Sequence, residues 1–177
     1  FLTSNEEGQL KDGKINKIIQ DLQDAGEHID YCLVGEASSS SKLADTIRLG
    51  RRGSLSGSLI IKGKQGHVAY PEKVNNPIHI AGKFIDTLKE MVWDQGNEFF
   101  QPTSFQISNI NSGTGATNVV PGHLEMKFNL RFSSESSEES LKEKILNVLE
   151  EHGIDYEIEW ALNAIPFITK QTFFKDV

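Results

Sequence analysis

Three glutamates occupy positions from which the sequence could supply catalytic or metal-binding carboxylates. Glu6 and Glu7 are adjacent near an apparent strand end, and Glu36 follows the apolar run 29–34 by two residues. Neighbouring carboxylates at a strand end point in different directions, so one can bind a metal ion while the other takes a proton from a metal-bound water. Ligands of open α/β sheets bind at the carboxyl ends of strands, which favours a similar role for Glu36. Solvated acidic turns are the alternative for all three.

One histidine and one asparagine lie in glycine-containing loops where their side chains could reach a reacting group. His67 follows Gly66, and its imidazole could donate a hydrogen bond to a developing oxyanion. Asn118 lies in the glycine-rich segment 113–122, which lacks the lysine and the spacing of a phosphate-binding loop. A structural or merely exposed histidine and a simple hairpin connection are the alternatives.

Two arginines are candidates for holding a substrate carboxylate. Arg51 lies in the only basic pair of the chain, and Arg131 lies on the polar side of a strongly alternating segment. The guanidinium group is a permanent, forked cation that matches a carboxylate. Surface salt bridges are the alternative for both arginines.

Composition excludes several classes of partner. The 177 residues carry a net charge of −7 and no cluster of Lys and Arg, which argues against nucleic acid. No apolar run approaches the roughly 20 residues that span a bilayer, so no membrane partner is expected. The single cysteine, Cys32, lies in the apolar run 29–34 and is predicted to be a buried thiol, in keeping with a cytoplasmic protein.

The first 50 residues predict half of an α/β unit. Apolar residues recur at helical spacing from Ile15 to Leu22, with Asp12 as a candidate N-cap and Gly26 as a candidate end. The run 29–34 then predicts a strand that is buried on both faces, as in parallel sheets.

The next region predicts a second domain with the element order strand, helix, strand, strand, helix, strand. Asn76 and Pro77 should open the first helix, and Ser136 with Glu139 should form a capping box at the second. The clearest strand is 123–132, where apolar and polar residues alternate. This order is typical of the ferredoxin-like arrangement, with both helices on one face of an antiparallel sheet.

The predicted organisation is therefore an α/β catalytic domain interrupted by an inserted α+β domain. The expected boundaries are 1–52 for part of the catalytic domain, 53–165 for the ferredoxin-like domain, and 166–177 for the return to the catalytic domain. Because both ends look cut, the chain is expected to be an internal fragment.

Four segments taken together resemble the signature motifs of the M20 family of metallopeptidases and amidohydrolases. They are residues 3–8 (TSNEEG), 34–36 (VGE), 66–71 (GHVAYP) and 113–121 (GTGATNVVP). Within that family, segments such as 50–57 (GRRGSLSG) and 93–97 (WDQGN) are most similar to the branch that hydrolyses N-succinyl-LL-diaminopimelate. The resemblance covers residues 1–169.

The resemblance implies a partial zinc-hydrolase catalytic domain, an inserted dimerisation (lid) domain and a role for each candidate residue. Glu6 would be the general base and acid, and Glu7 and Glu36 would each bind one of two zinc ions, with cobalt as a possible substitute. His67 would stabilise the oxyanion and, with Asn118, would reach into the site of the partner subunit in a homodimer formed by 53–165. The implied substrate-binding residues are Arg51, Ser54, Tyr70, Asn118 and Arg131.

Departures from the family pattern leave two other interpretations open. Asn5 and Ala37 replace the usual Asp and Pro, and the family's remaining metal ligands are absent from this sequence. The 177-residue chain is therefore expected to be inactive alone, whereas the full-length protein should be active. The alternatives are another M20 amidohydrolase, of the acetylornithine deacetylase or aminoacylase type, and a dimerisation module without chemistry.

Overall fold

The computed structural model describes residues 14–30, 32, 35, 37–43 and 45–169. These residues divide into two compact units. One comprises 51–168, and the other comprises the described part of 1–50 together with Thr169.

The smaller unit contains one helix, α1 (Lys14–Asp24). Gly26 ends it in a left-handed conformation with φ of 77°. The amide of Gly26 donates to the carbonyl of Gln23 (2.9 Å) and that of Glu27 to the carbonyl of Leu22 (3.0 Å). This pair of bonds is a Schellman motif, so the predicted end at Gly26 is confirmed. The candidate cap Asp12 lies outside the described residues.

The predicted buried strand 29–34 is wrong for the residues of that run that are described. Ile29, Asp30 and Cys32 are in no strand, and all three are exposed, Ile29 by 49 %. Cys32 is therefore an exposed free thiol, contrary to the expectation of a buried one. An apolar run becomes a strand only when a neighbour pairs with its backbone, and no described residue does so here.

The larger unit supplies the strands and the other two α-helices of the described residues. Their bounds are β1 (Gly50–Arg51), β2 (Gly53–Lys62), β3 (Gly66–His67), a 3-10 turn (Pro71–Lys73), α2 (Pro77–Glu90), β4 (Ser104–Ser112), β5 (Val119–Val120), β6 (His123–Phe132), α3 (Glu138–Glu151), β7 (Tyr156–Ala164) and β8 (Phe167–Ile168). The four long strands form one antiparallel sheet in the order β4-β6-β2-β7, and β3 pairs with β5 and β1 with β8. This topology confirms the predicted ferredoxin-like arrangement.

The core lies between one face of the four-stranded sheet and the two helices. Every second residue of β6 is buried, and α2 and α3 add their apolar faces to the same cluster. Gly57 of β2 lies opposite Phe128 of β6, and a Cβ atom at Gly57 would overlap the Phe128 ring. Glycine is therefore required at this position for the ring to lie across the central strand. The opposite face of the sheet carries polar residues and has no helix of this unit on it.

The helix starts show one correct and one wrong prediction. The side chain of Asn76 accepts from the amide of Ile78 (3.0 Å), and Pro77 occupies the first turn, so the predicted start of α2 is confirmed. The capping box of α3 is formed by Ser137 and Ser140, not by Ser136 and Glu139. The reason is that the hydroxyl of Ser136 donates to Asp94 (2.6 Å), so it does not cap the helix.

Asp94 joins the loop before β4 to the loop before α3. Its carboxylate accepts from the amides of Gly96 and Thr103 (both 2.9 Å), from the hydroxyls of Ser133 (3.0 Å) and Ser136 (2.6 Å), and from the hydroxyl of Thr103. Burial raises the pKa of Asp94, but the hydrogen bonds from Ser136 and Thr103 outweigh it and hold the pKa well below its usual range.

Candidate functional site

Three of the predicted substrate-binding residues lie together at the end of the sheet where β2 begins. We call Arg51, Ser54 and Arg131 the arginine cluster. Ser54 is directly opposite Arg131 across the β2–β6 pairing, so both side chains point to the polar face of the sheet. Arg51 is in β1, which ends two residues before β2 begins. The register places Ser54 beside Arg131, and Arg51 lies three residues before Ser54 along the chain.

The arginine cluster combines a buried hydroxyl with two exposed cations. Ser54 is only 3 % exposed, and its Oγ accepts a hydrogen bond from the Nδ2 of Asn129 (3.1 Å). Arg51 has its guanidinium carbon 5.6 Å from the centre of the Phe167 ring. Neither Arg51 nor Arg131 forms an ion pair with any residue that the structure describes. Both cations can therefore bind an anionic ligand, and the described part of the chain forms none of the salt bridges that were considered as an alternative.

His67 and Asn118 lie together after the other end of β2. His67 pairs with Val119 in the β3–β5 ladder, and the amide of Val68 donates to the carbonyl of Asn118 (3.1 Å). The amide of Ala69 donates to Nδ1 of His67 (3.0 Å). Nδ1 must therefore hold a lone pair, so the proton of the neutral ring is on Nε2. The ring consequently presents an N–H donor, which is what an oxyanion needs.

Tyr70 belongs with His67 and not with the arginines. Its amide donates to the carbonyl of His67 (3.0 Å), and the two rings meet edge to face with centroids 6.0 Å apart. The ammonium of Lys73 lies 4.7 Å from the centre of the Tyr70 ring. We call His67, Tyr70 and Asn118 the histidine cluster; all three residues are exposed.

The two clusters lie at opposite ends of the same strand. Ser54 stands at the start of β2, whereas the histidine cluster follows its last residue, Lys62, which pairs with His123 at the start of β6. At roughly 3.4 Å per residue, Ser54 and Lys62 are about 27 Å apart. A small substrate held by the arginine cluster of one copy is therefore beyond the reach of the histidine cluster of that copy.

The predicted carboxylates of Glu6, Glu7 and Glu36 lie outside the described residues. Among the residues that are described, no group of three or more His, Cys, Asp and Glu side chains could hold a metal ion. The searched helices also include none that is long and apolar enough to cross a membrane.

Sequence reasoning missed a row of polar side chains beside Ser54. Nδ2 of Asn129 donates to Ser54 and also to Ser56 (3.0 Å), and the hydroxyl of Ser56 donates to Oδ1 of Asn163 (3.0 Å). The alternation of β6 puts Asn129 on the polar face. Only the register of three strands shows that this face joins it to Ser54.

A groove in the larger unit lies at the same end of the sheet as the histidine cluster. Its lining includes Gln65, Asn111, Thr114, His123 and Glu125. None of the predicted site residues lines it, so we do not assign the substrate to this groove.

A comparison with known protein families identifies the domain that carries both clusters. The family model described as "Peptidase dimerisation domain", of the M20 group, matches residues 49–157. The chain belongs to the M20 peptidase dimerisation family. The match covers β2, β4 and β6 in full and only the first two residues of β7, and it includes all residues of both clusters. The predicted family is thereby confirmed.

Two curated relatives of this M20 chain carry the same name. A succinyl-diaminopimelate desuccinylase of Shewanella piezotolerans is 54 % identical over 169 residues, which are 96 % of this chain and 44 % of the relative. A succinyl-diaminopimelate desuccinylase of Thiobacillus denitrificans is 52 % identical over 169 residues, with 96 % and 43 % covered. The chain thus spans less than half the length of these relatives.

A solved structure supports the fold of the M20 chain. An M20 family metallo-carboxypeptidase from Sulfolobus solfataricus matches with a TM-score of 0.61 and 17 % identity. The match covers 70 % of this chain and 46 % of the carboxypeptidase. At this identity the likeness concerns the fold alone.

Proposed function

We propose that the full-length protein hydrolyses N-succinyl-LL-2,6-diaminopimelate to succinate and LL-2,6-diaminopimelate, in lysine and cell-wall biosynthesis. Support comes from the two desuccinylases, which align with nearly the whole chain. The arginine cluster also suits this substrate, because the substrate carries carboxylates at both ends and the cluster offers two cations without ion-pair partners among the described residues.

The separation of the two clusters is the observation that supports an active site shared between two copies. About 27 Å of strand lies between Ser54 and Lys62, so one copy cannot bring both clusters to one small molecule. In a homodimer, the histidine cluster of each copy can lie beside the arginine cluster of its partner, so that both clusters contact one substrate molecule. The proposed active site therefore holds Arg51, Ser54 and Arg131 of one copy with His67, Tyr70 and Asn118 of the other.

The edges of the sheet suggest where two copies meet. The edge strand β4 has no charged residue over its nine positions, whereas the other edge strand, β7, carries Glu157 and Glu159. Charged side chains on an edge strand discourage pairing with another chain. The uncharged edge at β4 is thus the side through which the 53–165 domain is proposed to dimerise.

Each residue has a defined part in the proposed reaction. The arginine cluster binds substrate carboxylates, and Nε2–H of His67 donates to the oxyanion that forms on the carbonyl oxygen when water adds to the amide carbon. Asn118 lies beside His67 and completes that side of the site. Glu6 is the proposed general base, which takes a proton from water and returns it to the leaving amine.

The metal site is proposed from the resemblance and from the chemistry of its donors. Glu7 and Glu36 would each ligate one metal ion, with zinc as the first choice and cobalt as the alternative. When bound, such ions polarise the amide carbonyl and acidify water. We assign the catalytic domain to 1–52 and 166–177, and we place the protein in the cytoplasm.

A substrate comparison tests the proposed function. The full-length, zinc-loaded protein should release succinate from N-succinyl-LL-diaminopimelate with a kcat/KM at least about 100-fold above that for N-acetylornithine, since a site built to hydrogen-bond a carboxylate rejects a ligand that lacks this group. Sedimentation of the same sample should show a dimer. Preference for N-acetylornithine would assign the chain to another M20 branch, and a dimer with neither metal nor hydrolysis would make it a binding module.

A further inference from the structure

Asn129 sets the direction in which Ser54 can donate a hydrogen bond. Nδ2 of Asn129 donates to the hydroxyl oxygens of Ser54 (3.1 Å) and Ser56 (3.0 Å). The hydroxyl of Ser56 donates to Oδ1 of Asn163 (3.0 Å), so this hydroxyl both accepts and donates a hydrogen bond. Ser54 only accepts, which leaves its O–H without an acceptor among the described residues.

A donor without an acceptor is costly at this position. Ser54 is 3 % exposed, and a buried hydroxyl that donates to nothing loses free energy relative to one in water. The cross-strand neighbours of Ser54 do not relieve this, since Arg131 is a cation that accepts no hydrogen bond and Ala164 has no polar side-chain atom. A ligand with a free acceptor oxygen can supply the missing partner.

We propose that Asn129 is a positioning residue that holds the hydroxyl proton of Ser54 towards a carboxylate of the substrate, beside the guanidinium of Arg131. This inference rests on the proposed function and extends it to a residue that does not itself touch the substrate. Nδ2 of Asn129 can only donate, so it occupies one lone pair of the Ser54 hydroxyl and leaves the O–H free for the ligand.

The Asn129→Asp change reverses that arrangement with almost no change in shape. A carboxylate at position 129 accepts the proton of Ser54 and so removes the donor from the substrate. In the full-length dimer, KM for N-succinyl-LL-diaminopimelate should rise about ten- to hundredfold with little change in kcat, as expected for the loss of one hydrogen bond to a charged group.

Ser58→Asp is the control for the new charge. Ser58 lies on β2 two residues after Ser56, on the same face of the sheet; it is exposed, and its side chain makes no hydrogen bond to Ser54. This change introduces the same charge on the same face, away from the edge strand β4. If both variants raise KM equally, simple charge repulsion explains the effect and the proposal is overturned.

A double-mutant cycle provides a second test that does not depend on a new charge. If Asn129 acts through Ser54, Asn129→Ala should raise KM in the wild type but change it less than about twofold in a Ser54→Ala background, because contacting residues are not additive. Additive effects would contradict the positioning role. Absence of hydrolysis by the wild-type protein would instead refute the proposed function, so the two failures are distinguishable.

Discussion

Replacing His67 with alanine in the full-length protein should lower kcat for the succinylated substrate about 100- to 1,000-fold, with KM within a few-fold of the wild-type value. Nδ1 of His67 accepts a hydrogen bond from the amide of Ala69, so the donor of the neutral ring is Nε2–H. A donor that meets charge only as the oxyanion forms contributes to the transition state and little to substrate binding.

The control for this experiment is His79→Ala. His79 is an exposed histidine on α2, outside both clusters, and its removal should leave kcat unchanged. Steady-state kinetics with metal content measured in the same samples would separate a loss of catalysis from a loss of metal. A His67→Ala protein with full metal and near-normal kcat would show that His67 is not the oxyanion donor.

Replacing Asp94 with alanine should lower the free energy of unfolding by about 2–4 kcal/mol. The change leaves the hydroxyls of Ser133, Ser136 and Thr103 without their shared acceptor and releases two loops from each other. Urea unfolding of the 177-residue chain can be followed by the fluorescence of Trp93 and Trp160, its two tryptophans.

The contribution of Asp94 to the free energy of unfolding should decrease as the pH falls. Its folded-state pKa lies below the ordinary value near 3.8, so the folded chain binds fewer protons at Asp94 than the unfolded chain when the pH falls below that value. The difference between wild type and Asp94→Ala should therefore be full above about pH 4 to 5 and shrink as the pH falls further. The exposed Asp86 serves as the control, and Asp86→Ala should change stability by less than about 0.5 kcal/mol. A difference that grows on acidification would refute this account.

The sequence predicted the elements that depend on local patterns. The alternation of 123–132 and the Asn76–Pro77 start could be recognised because side-chain periodicity and capping act within a few residues. The capping box at Ser136 was wrong because Ser136 is engaged by Asp94, which lies 42 residues earlier in the chain. Pairings over such separations are set by tertiary packing, which local patterns do not encode.

The sequence predicted which residues belong to the candidate site, but it did not predict how they are grouped. Arg51, Ser54 and Arg131 were all named from the sequence, yet their grouping depends on the register that places Ser54 opposite Arg131. The polar chain through Asn129 was missed for the same reason, since a one-residue shift of β6 would turn its side chain into the core. The roles of Glu6, Glu7 and Glu36 stay predictions.

The central claim, that each active site combines clusters from two copies, is tested most directly by mixing two inactive variants. Full-length His67→Ala and Arg131→Ala proteins should each have little activity, and their subunits should be exchanged under mild dissociation and then reassociated. Random pairing makes half of the dimers mixed, and each mixed dimer holds one intact site, so about a quarter of wild-type activity should return. If both clusters served the same copy, every site in the mixture would carry one defect, and no recovery of activity would contradict the account.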